Sequence, residues 1–158
     1  MTQPFAIGGN ILRVDLTRRA VTVEPTAPLN LRFPAGMGVN NWLLLNETPL
    51  GKAPLDPDNP LIFTAGSLVG TMAATACRMT ISCKNVLTGG FGAASAGGNF
   101  APELKYAGFD HIVVTGRAAQ PVYIDIDDGN VTICDADGLW GETTWETEKI
   151  LRARIDRP

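Results

Sequence analysis

Between Lys84 and Glu103 the chain runs for eighteen residues without a charged side chain, and the centre of that run, Gly89-Gly90-Phe91-Gly92-Ala93-Ala94-Ser95-Ala96-Gly97-Gly98, is built almost wholly from the smallest residues. Such a segment offers little besides backbone. Glycine reaches positive φ and lacks the Cβ that would hold another group away, so peptide N–H and C=O groups can come close to a ligand or to another part of the chain. Just upstream, Arg78 is the single cation in Cys77-Arg78-Met79-Thr80-Ile81-Ser82-Cys83. A flat amide surface with a guanidinium at its margin suits a large, polar, anionic cofactor, because guanidinium meets oxyanions with paired N–H donors. The same composition also serves turns, bulges and tight packing, and both readings stand at this point.

The common nucleotide and hydrolase signatures are absent. Gly90-Phe91-Gly92-Ala93-Ala94-Ser95 ends in Ser where a dinucleotide fingerprint needs Gly or Ala, and Gly51-Lys52 lacks a P-loop before it and has Ala53 after it. No serine has a G-x-S-x-G setting. Cys77, Cys83 and Cys134 contain no C-x-x-C pair, so neither a disulfide framework nor a zinc or iron–sulfur ligand set can be assembled from this chain, and buried free thiols are expected. His111, the only histidine, leads into Ile112-Val113-Val114 with no acidic or cysteine partner at a catalytic spacing, and is expected to be structural.

A chain of 158 residues, 45% of them hydrophobic, is enough for one domain with a real core. With a net charge of −3 and scattered Lys and Arg it lacks the basic stripe of a nucleic-acid binder. No apolar stretch approaches the roughly 18 residues of a membrane span, and Met1 to Ala6 lacks the charged and apolar regions of a signal peptide, which makes the cytoplasm the default location.

Periodicity gives short strands joined by turns, with about three helices inserted. Ile11 to Leu16 and Ala20 to Glu24 alternate around Thr17-Arg18-Arg19 and read as a hairpin. A helix following Gly36-Met37-Gly38 should carry Trp42, Leu43, Leu44 and Leu45 toward the core, and Pro49, Pro54, Pro57 and Pro60 make a loop before the strand Leu61 to Thr64. Arg78 to Cys83 should be a strand, and the glycine run a loop backed by a short helix over Asn99 to Gly108. Asp110 to Thr115, Val122 to Asp127 and Val131 to Cys134 complete the sheet, the last two joined by Asp127-Asp128-Gly129-Asn130. Thr143-Thr144-Trp145-Glu146 is a capping box for a last helix with Trp145, Ile150 and Leu151 on its apolar side. The pattern favours an α+β fold over a doubly wound sheet.

The colinear series Gly9 to Leu16, Ala65 to Thr71, Arg78, Leu87-Thr88-Gly89, Ser95 to Gly98, Pro102 to Asp110 and Val122-Tyr123-Ile124 is similar to the N-terminal domain of the tungsten-containing aldehyde ferredoxin oxidoreductases, over nearly the whole chain. The resemblance implies one β-rich α+β domain over residues 1–158, built of two related halves with the second incomplete, that forms the base for a tungsten or molybdenum bis-pterin. In that family an arginine at the position of Arg78 lies between pterin and iron–sulfur cluster, and the segment matching Ser95, Ala96, Gly97 and Gly98 touches a pterin. Many members have Asn where this chain has Ser95, so a bidentate amide becomes one hydroxyl.

The family's four-iron cluster ligands and acid–base residues lie beyond the region matched. The resemblance therefore implies the cofactor-platform portion of an enzyme that oxidises aldehydes to carboxylic acids, working with downstream iron–sulfur domains or a separate subunit and with a ferredoxin-like electron acceptor. No catalytic residue or metal ligand is expected within this chain, and no bound metallopterin or 4Fe-4S cluster is expected for the chain by itself, which should self-associate or require a partner. A scaffold or assembly module of the same fold without metallopterin is the other function the residues allow.

Overall fold

The computed structural model describes residues 9–33, 36–49 and 51–155. Its centre is a six-stranded sheet in the order β2-β1-β6-β3-β4-β5, comprising β1 (Asn10–Asp15), β2 (Ala20–Pro25), β3 (Leu61–Ala65), β4 (Met79–Lys84), β5 (Phe91–Ala96) and β6 (Phe109–Thr115). Only the β1–β6 pair is parallel. The helices are α1 (Ala27–Asn30), α2 (Met37–Glu47), α3 (Phe100–Tyr106) and α4 (Thr144–Ile155). Strands β7 (Val122–Asp127) and β8 (Asn130–Asp135) pair only with each other among the described residues. The fold is α+β and rich in strand, as the sequence pattern indicates; the one-turn α1 is an addition to it.

Alternation sorts each strand's side chains onto two faces. On one face, Ile11 of β1, Ile62 of β3 and Val113 of β6 meet Val39, Leu43 and Leu44 of α2. On the other, Leu12 and Val14 of β1 with Phe109 and Ile112 of β6 meet Leu104 of α3, and Ile124, Ile126, Val131 and Ile133 of the β7–β8 ribbon. A third small cluster joins Ala65, Val69 and Ala101. The adjacent strands β1 and β6 are thus covered on both sides, and this explains why β6 reads as a near-continuous apolar run. Arg13 fastens α2 to the sheet from its rim: Nη1 and Nη2 donate to the two Glu47 carboxylate oxygens at 2.8 Å, and Nε donates to Glu24 at 2.7 Å.

Four expectations need correction. Helix α2 buries Leu43 and Leu44 and half-buries Trp42, but Leu45 is 83% exposed, because four consecutive helical positions sweep about 300° and cannot share one face. Strands β7 and β8 do not extend the main sheet; they stack on it as a ribbon whose turn places Asp128 at φ 42° and Gly129 at φ 88°, the paired positive angles of a tight hairpin. The Thr143 hydroxyl caps α4 by accepting from Glu146 N at 3.3 Å, yet no α4 residue is buried and Trp145 is 80% exposed. The three thiols are free, and half-buried rather than buried.

His111 is structural. It is fully buried and belongs to a polar strip laid between α2 and the sheet. Asn40 Nδ2 donates to Ser82 Oγ at 2.8 Å and to the Thr80 carbonyl at 3.3 Å, while Asn40 Oδ1 accepts from the Thr64 hydroxyl. With that proton committed, Thr64 Oγ1 accepts from His111 Nδ1 at 3.0 Å. The Asn30 amide fills the gap from His111 Nε2 (3.3 Å) to Asp110 Oδ2 (3.5 Å), and Asp110 Oδ1 receives Lys105 Nζ at 2.6 Å.

Burial pushes His111 down from its ordinary 6.5 to about 4, with Lys105 acting the same way and Asp110 opposing. Between those values the unfolded chain binds a proton that the folded chain refuses, so stability is complete above about pH 6.5 and falls as pH drops toward 4. The window of roughly 2.5 pH units corresponds to about 3 kcal/mol. Urea unfolding across this range is expected to show that loss for the unmodified chain and a flatter profile for His111→Gln.

Candidate functional site

The glycine run is a strand, not a loop. Gly89 (φ 70°) and Gly90 close a turn after β4, where Asn85 Oδ1 accepts from Leu87 N and Thr88 N and Asn85 N donates to the Gly90 carbonyl at 2.8 Å. The chain then returns as β5, paired with β4 along its length and, among the described residues, with nothing on its far side. Low strand propensity of Gly and Ala is overridden by this ladder. As an edge strand β5 presents a row of backbone N–H and C=O groups that its partner strand does not use. Gly89 to Gly98 is exposed or half-buried throughout, whereas Ser82 of β4 is buried.

Register decides which residues share a face. Thr80 stands opposite Ser95, Ser82 opposite Ala93 and Lys84 opposite Phe91, so these six lie on the α2 side of the sheet. Met79 pairs with Ala96 at the end of the ladder, so Arg78, which precedes β4, and Gly97, which follows β5, leave the sheet at the same end. The backbone there is held by Gly66 N, which donates to the Arg78 carbonyl at 3.4 Å. Helix α2 covers β3 and β4 but stops short of β5. Arg78, Ser95 and Gly97 are therefore gathered at one exposed margin, Gly98 follows at φ 108°, and Ala96 turns to the opposite face beside Met79.

Arg78 is exposed and forms no ion pair among the described residues, in contrast to Arg13, which engages two carboxylates. A guanidinium left without an acid beside a charge-free strand is free to meet an external anion. Gly97 and Gly98 keep that margin open: a Cβ at Gly97 would come no closer than 3.9 Å to Cys77 Sγ, and one at Gly98 would meet nothing within 4 Å. Toward the other end of β5 the same face continues into an apolar groove of about 540 Å³ lined by Leu44, Leu45, Pro49, Gly90 and Phe91, with Cys83 below. No cluster of three or more His, Cys, Asp or Glu able to hold a metal exists among the described residues.

Asn40 Nδ2 donates to Ser82 Oγ of the neighbouring strand β4, and neither residue was singled out by sequence reasoning. The available signal was the helical spacing of Asn40 with Leu43 and Leu44, which places a polar amide on the buried face of α2.

A family model described as the N-terminal domain of aldehyde ferredoxin oxidoreductase matches residues 11–158. The chain is 40% identical over 152 residues to the tungsten-containing aldehyde ferredoxin oxidoreductase of Pyrococcus abyssi, covering 96% of this chain and 25% of that protein. Against the corresponding protein of Thermococcus kodakarensis it is 42% identical over 148 residues, 93% of this chain and 24% of the other. It is 33% identical over 157 residues to the WOR-like subunit of an aliphatic sulfonate oxidoreductase from Pyrococcus furiosus, with 96% and 24% covered. Among solved structures, the active-site complex BamBC of benzoyl coenzyme A reductase in complex with 1,5-dienoyl-CoA matches with a TM-score of 0.94 and 35% identity, over 99% of this chain and 24% of that one. The chain spans about a quarter of the length of these relatives.

Within β5, Gly92 is the sterically critical glycine. A Cβ there would lie 3.2 Å from Asn85 Cβ and 3.3 Å from the Cys83 carbonyl. Gly92→Val is expected to lower the unfolding free energy by about 1 to 3 kcal/mol through overpacking. Gly97→Ala, with open space ahead of it, should stay within about 0.5 kcal/mol of the unmodified chain. Denaturant titration of the two variants checks the contrast.

Proposed function

Because the chain belongs to the aldehyde ferredoxin oxidoreductase family, we propose that it is the cofactor platform of a tungsten bis-pterin oxidoreductase that converts aldehydes to carboxylic acids and passes the electrons to a ferredoxin-like acceptor. The observation that carries this reading is the exposed Arg78, without an acid partner among the described residues, at the margin of an edge strand made of glycine, alanine and serine. When bound, the metal–pterin group supplies the two-electron centre at which aldehyde and water become a carboxylic acid, two protons and two electrons.

The residues present fit the organic part of such a group. Arg78 offers paired N–H donors to its phosphate or oxo groups, Ser95 a hydroxyl, and the backbone from Ala96 to Gly98 amides that no Cβ shields at Gly97 and Gly98. The chain supplies binding and orientation, with no acid–base group at the margin. Its cysteines do not fit a four-iron cluster: three thiols in no recognisable spacing fall short of four convergent thiolates. Those thiolates then belong to downstream domains or a partner subunit, as do the residues that choose the substrate. Relatives sharing this domain bear names as different as aldehyde, sulfonate and benzoyl coenzyme A enzymes, which supports placing specificity elsewhere. Exposed Leu68, Met72, Trp140 and Trp145 are surfaces such neighbours, or a second copy, would cover.

Tungsten analysis and pterin fluorescence on the protein purified from its native host with its partners test the reading. The unmodified protein is expected to contain tungsten and pterin. Loss of a charge-assisted contact worth about 1.5 to 3 kcal/mol should weaken retention by roughly one to two orders of magnitude in Arg78→Ala, with the thermal midpoint little changed. An unmodified protein without metal or pterin would instead support the scaffold role.

A further inference from the structure

We infer that Asn40 is a positioning residue for the cofactor face, holding β4 in place beneath Arg78 and Ser95 through its bonds to Thr80 and Ser82; this rests on the reading of the β4–β5 margin as the platform. Strand β5 is an edge strand of small residues, exposed at Ala93, Ala94 and Ser95, so it has few side-chain contacts of its own and takes its position from β4. The position of β4 is set by its ladder with β3 and, on the α2 side, by hydrogen bonds from one amide. Asn40 Nδ2 donates to the carbonyl of Thr80, the partner of Ser95, and to the hydroxyl of Ser82, the partner of Ala93.

On its other side the same amide accepts from Thr64 of β3, whose hydroxyl accepts in turn from His111 of β6. One side chain thus links α2 to β4 and, through Thr64 and His111, to β3 and β6. Apolar packing could fill that space, and it does so immediately beside it with Val39, Leu43 and Ile62. Hydrophobic contact is non-directional and tolerates sliding, whereas hydrogen bonds fix distance and angle. Asn40, Thr64, Ser82 and His111 are each no more than 1% exposed, so none of these bonds is replaced by water. A site that must hold a rigid ligand needs such support behind its contacting residues.

The test compares three variants of the protein purified from its native host with its partners. Asn40→Leu keeps the volume and removes every bond of the amide. Leu43→Ala, on the same buried face of α2, controls for loss of stability alone. Tungsten per chain is measured by mass spectrometry, and amide hydrogen exchange is followed over 79–84 and 91–96. Loss of a supporting partner behind a metal site typically weakens retention by roughly 10-fold or more, and that loss is expected for Asn40→Leu, with faster exchange in both strands. Leu43→Ala should lower the thermal midpoint and keep its tungsten.

If Asn40→Leu does not fold, Ser82→Ala removes one of the two bonds to β4 without adding bulk and is expected to lose tungsten at a near-normal thermal midpoint. Full tungsten in Asn40→Leu or Ser82→Ala overturns the positioning role, as does an equal loss in Leu43→Ala. An unmodified protein that carries no tungsten refutes the platform reading and the positioning role together; tungsten present there but unaffected by these variants refutes the positioning role alone.

Discussion

The exposed face hangs from one hydrogen-bonded ladder, the antiparallel pairing of β4 with β5. Six residue pairs from Met79↔Ala96 to Lys84↔Phe91 turn a run of weak strand formers into a strand, and the last of them leaves Arg78 and Gly97 at the end of the ladder nearest Ser95. A slip of one residue would carry Ser95 to the opposite face and set Ala94 or Ala96 in its place. Gly92 is the tight point of that ladder, since a Cβ there would press on Asn85 and the Cys83 carbonyl.

Two arginines in the same sheet show how charge is allocated. Arg13 donates from each of its three nitrogens to Glu24 or Glu47 and ties β1, β2 and α2 together at the rim. Arg78 has no ion pair among the described residues and immediately precedes the strand that borders the small-residue edge. The platform proposal rests on that difference, since a guanidinium without an acid partner can meet an external anion. The polar strip through Asn40, Thr64 and His111 links α2 to β4, β3 and β6 by hydrogen bonds, and the proposed positioning role rests on it.

Local signals in the sequence located most elements. The hairpin of β1 and β2, the strand β6 with its apolar run, the Asp-Gly turn of the ribbon and the Thr143 cap were all visible because each depends on residues within a few positions of one another. The edge strand β5 was not, because Gly and Ala favour strand only when a neighbour pairs with them, and that neighbour is known only from the tertiary structure. Arg78 and the glycine run stood out from charge and size, while the choice of Ser95 to Gly98 within that run came from the family resemblance. Asn40, Thr64, Ser82 and His111 were not legible as a unit: they lie on four different elements, and only their packing makes them neighbours. Trp145 misled for the opposite reason, since amphipathic spacing marks a face fit for burial without saying that anything in the chain covers it.

The most direct test of the platform account is an experimental structure of the protein purified from its native host together with its partners. The account predicts pterin density at the β4–β5 margin, within hydrogen-bonding distance of the Arg78 guanidinium and the Ser95 hydroxyl. Arg78 paired instead with a protein carboxylate, and no cofactor at that margin, would contradict it.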